Sequence, residues 1–374
     1  MHIEMVDLKG QYEKIKPEVD AAIQHVIDTT SFIRGPEVAA FEKELGHYLQ
    51  GNDVLSVANG TDALQIALMA LGIGPGDEVI SPSFTFVATA EAVGLLGATP
   101  VFADINPKTF TIDPDQVAAL ITERTKAIVP VHLFGQCANM SAILELAEKY
   151  GIPVIEDTAQ AVGAQWEGKA AGTMGELGTL SFFPSKNLGC YGDGGAIVSR
   201  DESLLATCRL ISNHGSTKKY HNEVVGVNSR LDTMQAAILR VKLGHLGEYT
   251  NARIKAADLY DALIAPISGL TTPYRDPRGS HVFHQYTLRV EGNDPEKRDA
   301  LMAYLGSKGI PSFVYYPVPL HLLPIYKNDP ESCRFGDMTE TMKAANEVLS
   351  LPMHTELTHE QQTYIVGHCK DFLE

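Results

Sequence analysis

Between about residues 54 and 200 the chain alternates short β-rich runs with helical patterns. "DVLSVAN", "DEVISPSF", "TPVFADI", "KAIVPVHLF", "IPVIED", "LGTLSFF" and "GAIVS" are separated by segments such as "TDALQIALMALG" and "SAILELAEKYG". This is the βαβ rhythm, and few folds accept it. Several runs are apolar at consecutive positions, as expected of a parallel sheet covered on both faces. The expected fold is α/β, a mainly parallel sheet with helices on either side.

Upstream, "KPEVDAAIQHVIDTT" and "EVAAFEKELGHYL" read as two helices with proline near each start, where its missing N–H costs little. From about residue 246 the pattern becomes a long helix, then strands such as "HVFHQYTLRV", then further helices. The expected division is a large domain over 1–245 and a smaller C-terminal α+β domain over 246–374. "STKKYHNEVV" and "YRDPRGS" are the expected mobile loops.

A formal charge of -16, with no run of Lys and Arg interleaved with aromatics, excludes nucleic acid as a partner. No stretch approaches the roughly 18 apolar residues of a spanning helix, so no membrane is expected. The N-terminus lacks the basic start and apolar run of a secretory signal, which implies a cytoplasmic location. The five cysteines are scattered and free of CxxC spacing, so they read as reduced thiols and not as a disulfide framework or a zinc site. His281 and His284 in "HVFH" fall in a β-rich run that would turn them to opposite sides, and no metal is expected there. "GIGPGDE" follows a helix and precedes a strand, the reverse of a dinucleotide-binding turn, and reads as a helix stop.

The chemistry gathers at strand ends, where open α/β sheets bind ligands. "IPVIEDTAQA" ends an apolar strand in Glu156 and Asp157; either carboxylate could be a helix cap. The next strand is followed by Lys186 in "SFFPSKNLGCYGDGGAI", a lone cation before a glycine-rich run that lets backbone approach a ligand closely. Such a setting depresses an amine's pKa and exposes a nucleophile. A lysine with a carboxylate is what pyridoxal phosphate requires: the amine forms the Schiff base and the acid keeps the pyridine nitrogen protonated. "VANGTDALQIALMAL" offers a phosphate cradle at a helix start through Gly60 and Thr61, and Ser181 could add a hydroxyl. Phe84 and Phe86 in "SPSFTFVATAEAV" are candidates to cover the ring, though either could be core.

Together these segments resemble the DegT/StrS family of pyridoxal phosphate-dependent sugar-nucleotide aminotransferases over essentially the full length. The matching segments are "NGTDAL", "SFTFVAT", "VHLFGQ", "IEDTAQA", "SFFPSKNLG", "GDGGAI", "NSRLDTMQAAIL" and "HQYTLRV". The resemblance implies the aspartate-aminotransferase-like fold type I, with a mainly parallel seven-stranded sheet. Lys186 then matches the Schiff-base lysine and Asp157 the partner of the pyridine nitrogen. Gln160 matches the residue near the cofactor's phenolic oxygen, Ala159 and Phe86 would lie on opposite ring faces, and Gly60, Thr61 and Ser181 match phosphate contacts. Asn228 would come from the neighbouring subunit, which implies a homodimer with shared active sites.

The implied reaction moves an amino group, by family habit from L-glutamate, through the pyridoxamine form of the cofactor to a nucleotide-linked keto sugar, in the biosynthesis of amino sugars for surface polysaccharide or related glycans. "KNLGCYGDGGA" looks more like members that aminate C3 than those that act at C4. The same segment and "FVYYPVPLHLLP" resemble enzymes acting on UDP-linked 3-keto-N-acetylglucosaminuronates, with dTDP-3-keto-6-deoxyhexoses as the other class. Arg230 and His321 are the candidate substrate contacts; a surface ion pair and a helix-start histidine are the bland alternatives. A non-catalytic sugar-nucleotide or cofactor-binding regulator is the rival of another class, disfavoured by the joint presence of lysine, aspartate, glutamine and phosphate ligands.

Overall fold

A computed structural model describes residues 2–218, 220–329 and 331–374. Two helices, α1 (Leu8–Thr29) and α2 (Pro36–Tyr48), precede the sheet. The first starts earlier than its proline suggests: Asp7 caps it by accepting the Gly10 N–H at 2.7 Å, and Pro17 sits inside. The cost of that interior proline is offset by the buried stripe Gln11, Ile15, Val19 and Val26.

The sheet strands are β1 (Asp53–Val57), β2 (Glu78–Pro82), β3 (Thr99–Ala103), β4 (Thr125–Ile128) and β5 (Ile155–Asp157). A small hairpin, β6 (Gln165–Trp166) and β7 (Lys169–Ala170), precedes β8 (Leu177–Ser181) and β9 (Gly195–Ser199). Hydrogen bonding orders one half β1-β9-β8-β5 and the other β4-β2-β3. Parallel bridges Ile128 to Val154 and Val131 to Asp157 join the halves into one sheet. Only β9 runs antiparallel to its neighbours, so the expected seven-stranded, mainly parallel sheet is present.

Successive residues of a strand point to opposite faces, and both faces are dry. Leu55, Val57 and Ile197 pack with α3 (Gly60–Ala70), α4 (Ala88–Leu95) and α7 (Glu202–Ser212). Val54, Ala196 and Val198 pack on the other side with Phe41, Leu45, Leu239 and Leu246. The last two belong to α8 (Thr233–Ile264), which begins well before residue 246 and carries the chain out of the sheet.

Beyond it, β12 (Leu270–Thr271), β13 (Tyr286–Val290) and β15 (Val348–Leu351) form an antiparallel sheet. With α9 (Pro295–Ser307) and α12 (His359–Leu373) it builds a second core around Tyr260, Leu288, Leu301 and Ile365. "HVFHQYTLRV" is strand only from Tyr286. Phe283, in the left-handed region at φ 46°, stacks on His281 with ring centroids 3.9 Å apart and breaks the extended run.

One segment returns to the large sheet. After Pro319 a short helix α10 (Pro324–Lys327) leads to β14 (Arg334–Phe335), which pairs in parallel with β3 and becomes an eighth strand at that edge. Arg334 donates to Glu78 at 2.9 Å and to the Leu120 carbonyl at 2.6 Å, while Leu320, Tyr326, Cys333 and Met338 pack around Phe102. "STKKYHNEVV", expected as a loop, contains the hairpin strands β10 (Ser216–Lys218) and β11 (His221–Asn222); Lys219 lies outside the described residues. Among the described residues no helix is long and apolar enough to cross a membrane, and no group of three or more His, Cys, Asp or Glu is placed to hold a metal ion.

Candidate active site

Asp157 is the last residue of β5 and lies opposite Thr179 of β8, so parallel pairing puts it at the carboxyl edge of the sheet beside the strand that leads to Lys186. Its carboxylate is buried and held by two donors: the Thr89 hydroxyl to Oδ2 at 2.8 Å and the Ala159 N–H to Oδ1 at 3.1 Å. Lys186 follows β8 in a tight turn, its N–H donating to the Phe183 carbonyl at 2.8 Å. Surrounding protein lowers the amine's pKa from 10.5 to about 8, an effect that the nearby Asp157 charge opposes. A half-buried amine that can shed its proton near neutrality has the chemistry of a nucleophile.

Glu156, the preceding residue, does a different job. Its side chain points to the other face, where it accepts N–H groups of Gly172, Met174 and Gly175 at 2.9, 2.6 and 2.8 Å and pairs with His132 Nε2 at 2.8 Å. His132 Nδ1 accepts the Ala138 N–H at 3.1 Å, so Nε2 carries the hydrogen given to Glu156. Of the two adjacent carboxylates, this one seats a loop and Asp157 lies on the face toward Thr89.

The phosphate cradle is built by crowding. Asn59 caps α3 by accepting the Asp62 N–H at 2.8 Å, leaving the first-turn N–H groups of Gly60 and Thr61 free to meet an anion. Gly60 lies so near β8 that a Cβ there would stand 2.7 Å from the Ser181 Cβ, which is why the Ser181 hydroxyl reaches the same helix start. The glycines after Lys186 serve protein packing: a Cβ at Gly189 would meet the Pro184 carbonyl oxygen at 2.3 Å, and one at Gly195 the Asn59 backbone at 2.4 Å.

Phe84 is core, packed with Phe110 and Phe134, whereas Phe86 is 55% exposed and free to cover a planar ligand. Ala159, half-buried, follows Asp157 in the same turn. Gln160 accepts the Phe134 N–H at 2.8 Å through its carbonyl and donates from Nε2 to the Tyr316 hydroxyl at 3.1 Å. Tyr316 was not singled out from sequence. Its ring centroid lies 6.4 Å from that of Phe86, and burial raises its pKa with Asp157 nearby. Only its place just before the prolines of "FVYYPVPLHLLP" could have flagged it.

Lys186, Asp157, Ala159, Gln160, Phe86, Gly60, Thr61 and Ser181 therefore occupy neighbouring strand ends and turns along one edge of the sheet. His321 is buried and bonds through Nδ1 to the Ser83 hydroxyl at 2.7 Å, fastening the returning segment to the turn that carries Phe84 and Phe86. Asn228 is exposed, bridged to Asn213 beyond the β10–β11 hairpin. Arg230 lines a separate cavity of about 1080 Å³ together with Arg34, Glu42, Ser56, Arg209 and Ser229; none of Lys186, Asp157, Gly60 and Ser181 lines it. Burial and the charges of Arg230 and Arg209 lower the Arg34 pKa, and Glu42 is the carboxylate that opposes them.

Residues 13–370 match the DegT/DnrJ/EryC1/StrS aminotransferase family. The chain is 48% identical over 355 residues to the UDP-2-acetamido-2-deoxy-3-oxo-D-glucuronate aminotransferase of Pseudomonas aeruginosa, covering 95% of this chain and 96% of that one. It is also 48% identical over 374 residues to a protein of Geobacillus stearothermophilus named pleiotropic regulatory protein, covering 100% and 99%. A crystal structure of Streptomyces venezuelae DesV in complex with a ketimine intermediate superposes with a TM-score of 0.94 at 41% identity, covering 100% and 99%.

Proposed function

The chain belongs to the DegT/DnrJ/EryC1/StrS aminotransferase family, and on that premise we propose that it transfers the amino group of L-glutamate to C3 of a UDP-linked 3-keto-N-acetylglucosaminuronate. It is a sugar aminotransferase of fold type I, and relatives that act at C3 support the position of amination. One observation carries the reading: a half-buried lysine of lowered pKa lies at the same sheet edge as a buried, doubly held carboxylate and a helix start with free N–H groups. The regulatory name of the Geobacillus relative belongs with the rival reading, which the joint presence of lysine, aspartate, glutamine and a phosphate-binding helix start argues against.

These residues fit pyridoxal 5'-phosphate. When bound, that cofactor supplies an electron sink for the donor's α-carbon, and its pyridoxamine form carries the nitrogen between half-reactions. Lys186 would hold it and, once free, move the proton of the substrate carbon as general base. Asp157, fixed by Thr89 and Ala159, would keep a proton on the pyridine nitrogen. Gly60, Thr61 and Ser181 would bind the phosphate, Phe86 and Ala159 would lie on opposite sides of the ring, and Gln160 would donate an amide hydrogen to the phenolic oxygen.

The same proposal includes a homodimer in which Asn228 of one copy completes the phosphate site of the other. Its exposure, and the exposed apolar side chains of Phe32, Ile33, Val224 and Val225, support that arrangement. As a substrate contact Arg230, two residues away, would then act from the same neighbour, while His321 would act through the turn it fastens.

The test is an absorption spectrum of the purified protein with pyridoxal phosphate, before and after L-glutamate, beside Lys186→Ala. A band that glutamate bleaches and the variant lacks, followed by turnover of the UDP-linked 3-keto sugar, supports the reading. Absence of any band in the wild-type protein at saturating cofactor removes it, and turnover only of 4-keto sugars moves the amination to C4.

A further inference from the structure

Two arginines line one cavity with no carboxylate to answer them. Arg34, in the turn before α2, and Arg230, just before α8, both border the space of about 1080 Å³ that lies apart from Lys186 and Asp157. Among the described residues neither has a hydrogen-bond or ion-pair partner. The third arginine of the wall, Arg209 of α7, is already answered, since its Nη2 lies 3.7 Å from Glu42 Oε2. Glu42 has little more to offer: its Oε1 accepts the N–H and the hydroxyl of Ser56 at 2.8 and 2.7 Å. Partial burial, together with the charges of Arg230 and Arg209, makes the Arg34 guanidinium harder to keep ionised. An anion in the cavity would relieve that cost.

Neutral donors stand in the same wall. Ser229, 1% exposed, accepts the Ala58 N–H at 3.0 Å through its hydroxyl oxygen, so its own hydrogen remains to be given. α2 begins here at Gly35, which supplies no side-chain cap, and the positive end of that helix adds to the two arginines. The chain as a whole carries a formal charge of -16 and repels a polyanion, so a polyanion must be held by a local cationic wall such as this one. One carboxylate occupies one guanidinium fork, whereas a diphosphate has oxygens and charge for two. The space matches the upper end of the about 300–1,000 Å³ of small-molecule sites, far more than a simple ion needs.

We propose that this cavity binds the diphosphate group of a nucleotide, with Arg34 and Arg230 as its charged contacts and the Ser229 hydroxyl as a further donor. Two sources fit that chemistry. One is the nucleotide of a sugar held in the site of a second copy, reaching the cavity across the interface proposed for Asn228, the residue before Ser229; this source rests on the aminotransferase reading. The other is a free nucleotide bound away from any reacting group. In either case the site stands on the cavity and its unpaired charges.

The full-length, cofactor-loaded protein is titrated with UDP by calorimetry, with inorganic pyrophosphate as competitor. Wild type should bind UDP and release it to pyrophosphate. Arg34→Ala should weaken UDP about ten- to a hundredfold, the loss of one hydrogen-bonded charged contact. Arg34→Lys keeps the charge but not the fork, and should fall between the two. Arg34 is exposed and holds no other residue, so these substitutions test the ligand and not the fold. Equal UDP affinity in wild type and Arg34→Ala overturns the proposal, as does bound UDP that pyrophosphate cannot displace. Loss of dimer in Arg34→Ala by sedimentation velocity, with UDP affinity unchanged, also overturns it and gives the cavity to a second copy of the chain. Competitive inhibition of keto-sugar turnover by UDP, with KM raised and kcat kept in Arg34→Ala, identifies the nucleotide of the substrate; Arg34-dependent binding without competition identifies the free nucleotide. Failure of the aminotransferase reading shows separately, as a missing absorption band with Arg34-dependent UDP binding intact.

Discussion

Thr89, from the first turn of α4, donates its hydroxyl hydrogen to Asp157 Oδ2 over 2.8 Å, and so ties the carboxylate of one strand end to the helix that follows another. Hydrogen bonds to charged groups contribute about 1.5–3 kcal/mol. Thr89→Val is therefore expected to weaken pyridoxal phosphate binding roughly ten- to a hundredfold, with Thr89→Ser restoring most of it. Spectral titration of the cofactor measures both.

Gly60→Ala tests the cradle. The added methyl carbon meets the Ser181 Cβ at 2.7 Å, so either the helix start or the end of β8 must shift. Affinity for pyridoxal 5'-phosphate should fall about tenfold or more, while affinity for pyridoxal, which lacks the phosphate, should change little. Equal losses for both would place the damage elsewhere in the site.

Lys242 of α8 is wholly buried, its Nζ has no hydrogen-bond partner, and burial lowers its pKa from 10.5 to about 8. Below pH 8 the amine is charged in both folded and unfolded chains, and the folded state bears the full cost of burying that charge. From about 8 to about 10.5 the unfolded chain binds more protons, so folding gains stability as pH rises across that window. Lys242→Met should raise stability by about 1–3 kcal/mol at neutral pH, an advantage that disappears above about pH 10.5. Urea unfolding at three pH values shows whether it does.

Glu156 and Asp157 are adjacent, yet their substitutions should separate. Glu156→Ala leaves the His132 Nε2–H and three backbone N–H groups without an acceptor in a buried site, and about 3–5 kcal/mol of stability should be lost. Asp157→Ala leaves one hydroxyl and one N–H unpaired, a smaller stability loss, but it should abolish glutamate-dependent spectral change. Denaturation midpoints and spectra together distinguish the two.

Much of this was legible in residue order because a parallel sheet places consecutive strand ends on one edge: the candidates Gly60, Thr61, Asp157, Ser181 and Lys186 stand where apolar runs stop. Glu156 shows the limit, since two acids at one strand end read alike until alternation assigns each a face. Tyr316 was missed because a long-range contact, through Gln160, brings it to the site. The glycines after Lys186 pointed to the right neighbourhood, but the atoms they make room for belong to the chain itself. The histidine pair in "HVFH" was assigned to a strand by its β-rich composition, whereas the Phe283 backbone turns out of the extended region there.

The eighth strand sets an order of events during synthesis. A ribosome must translate as far as Phe335 before β3 can be covered along its outer edge. Until then a nascent chain with every other strand of the large sheet in place still presents open backbone hydrogen-bonding groups there, with Phe102 lacking Tyr326 and Met338. An uncovered strand edge is a template for pairing with other chains. Premature termination anywhere between α8 and β14 would therefore yield a product prone to aggregate, and not a freestanding large domain.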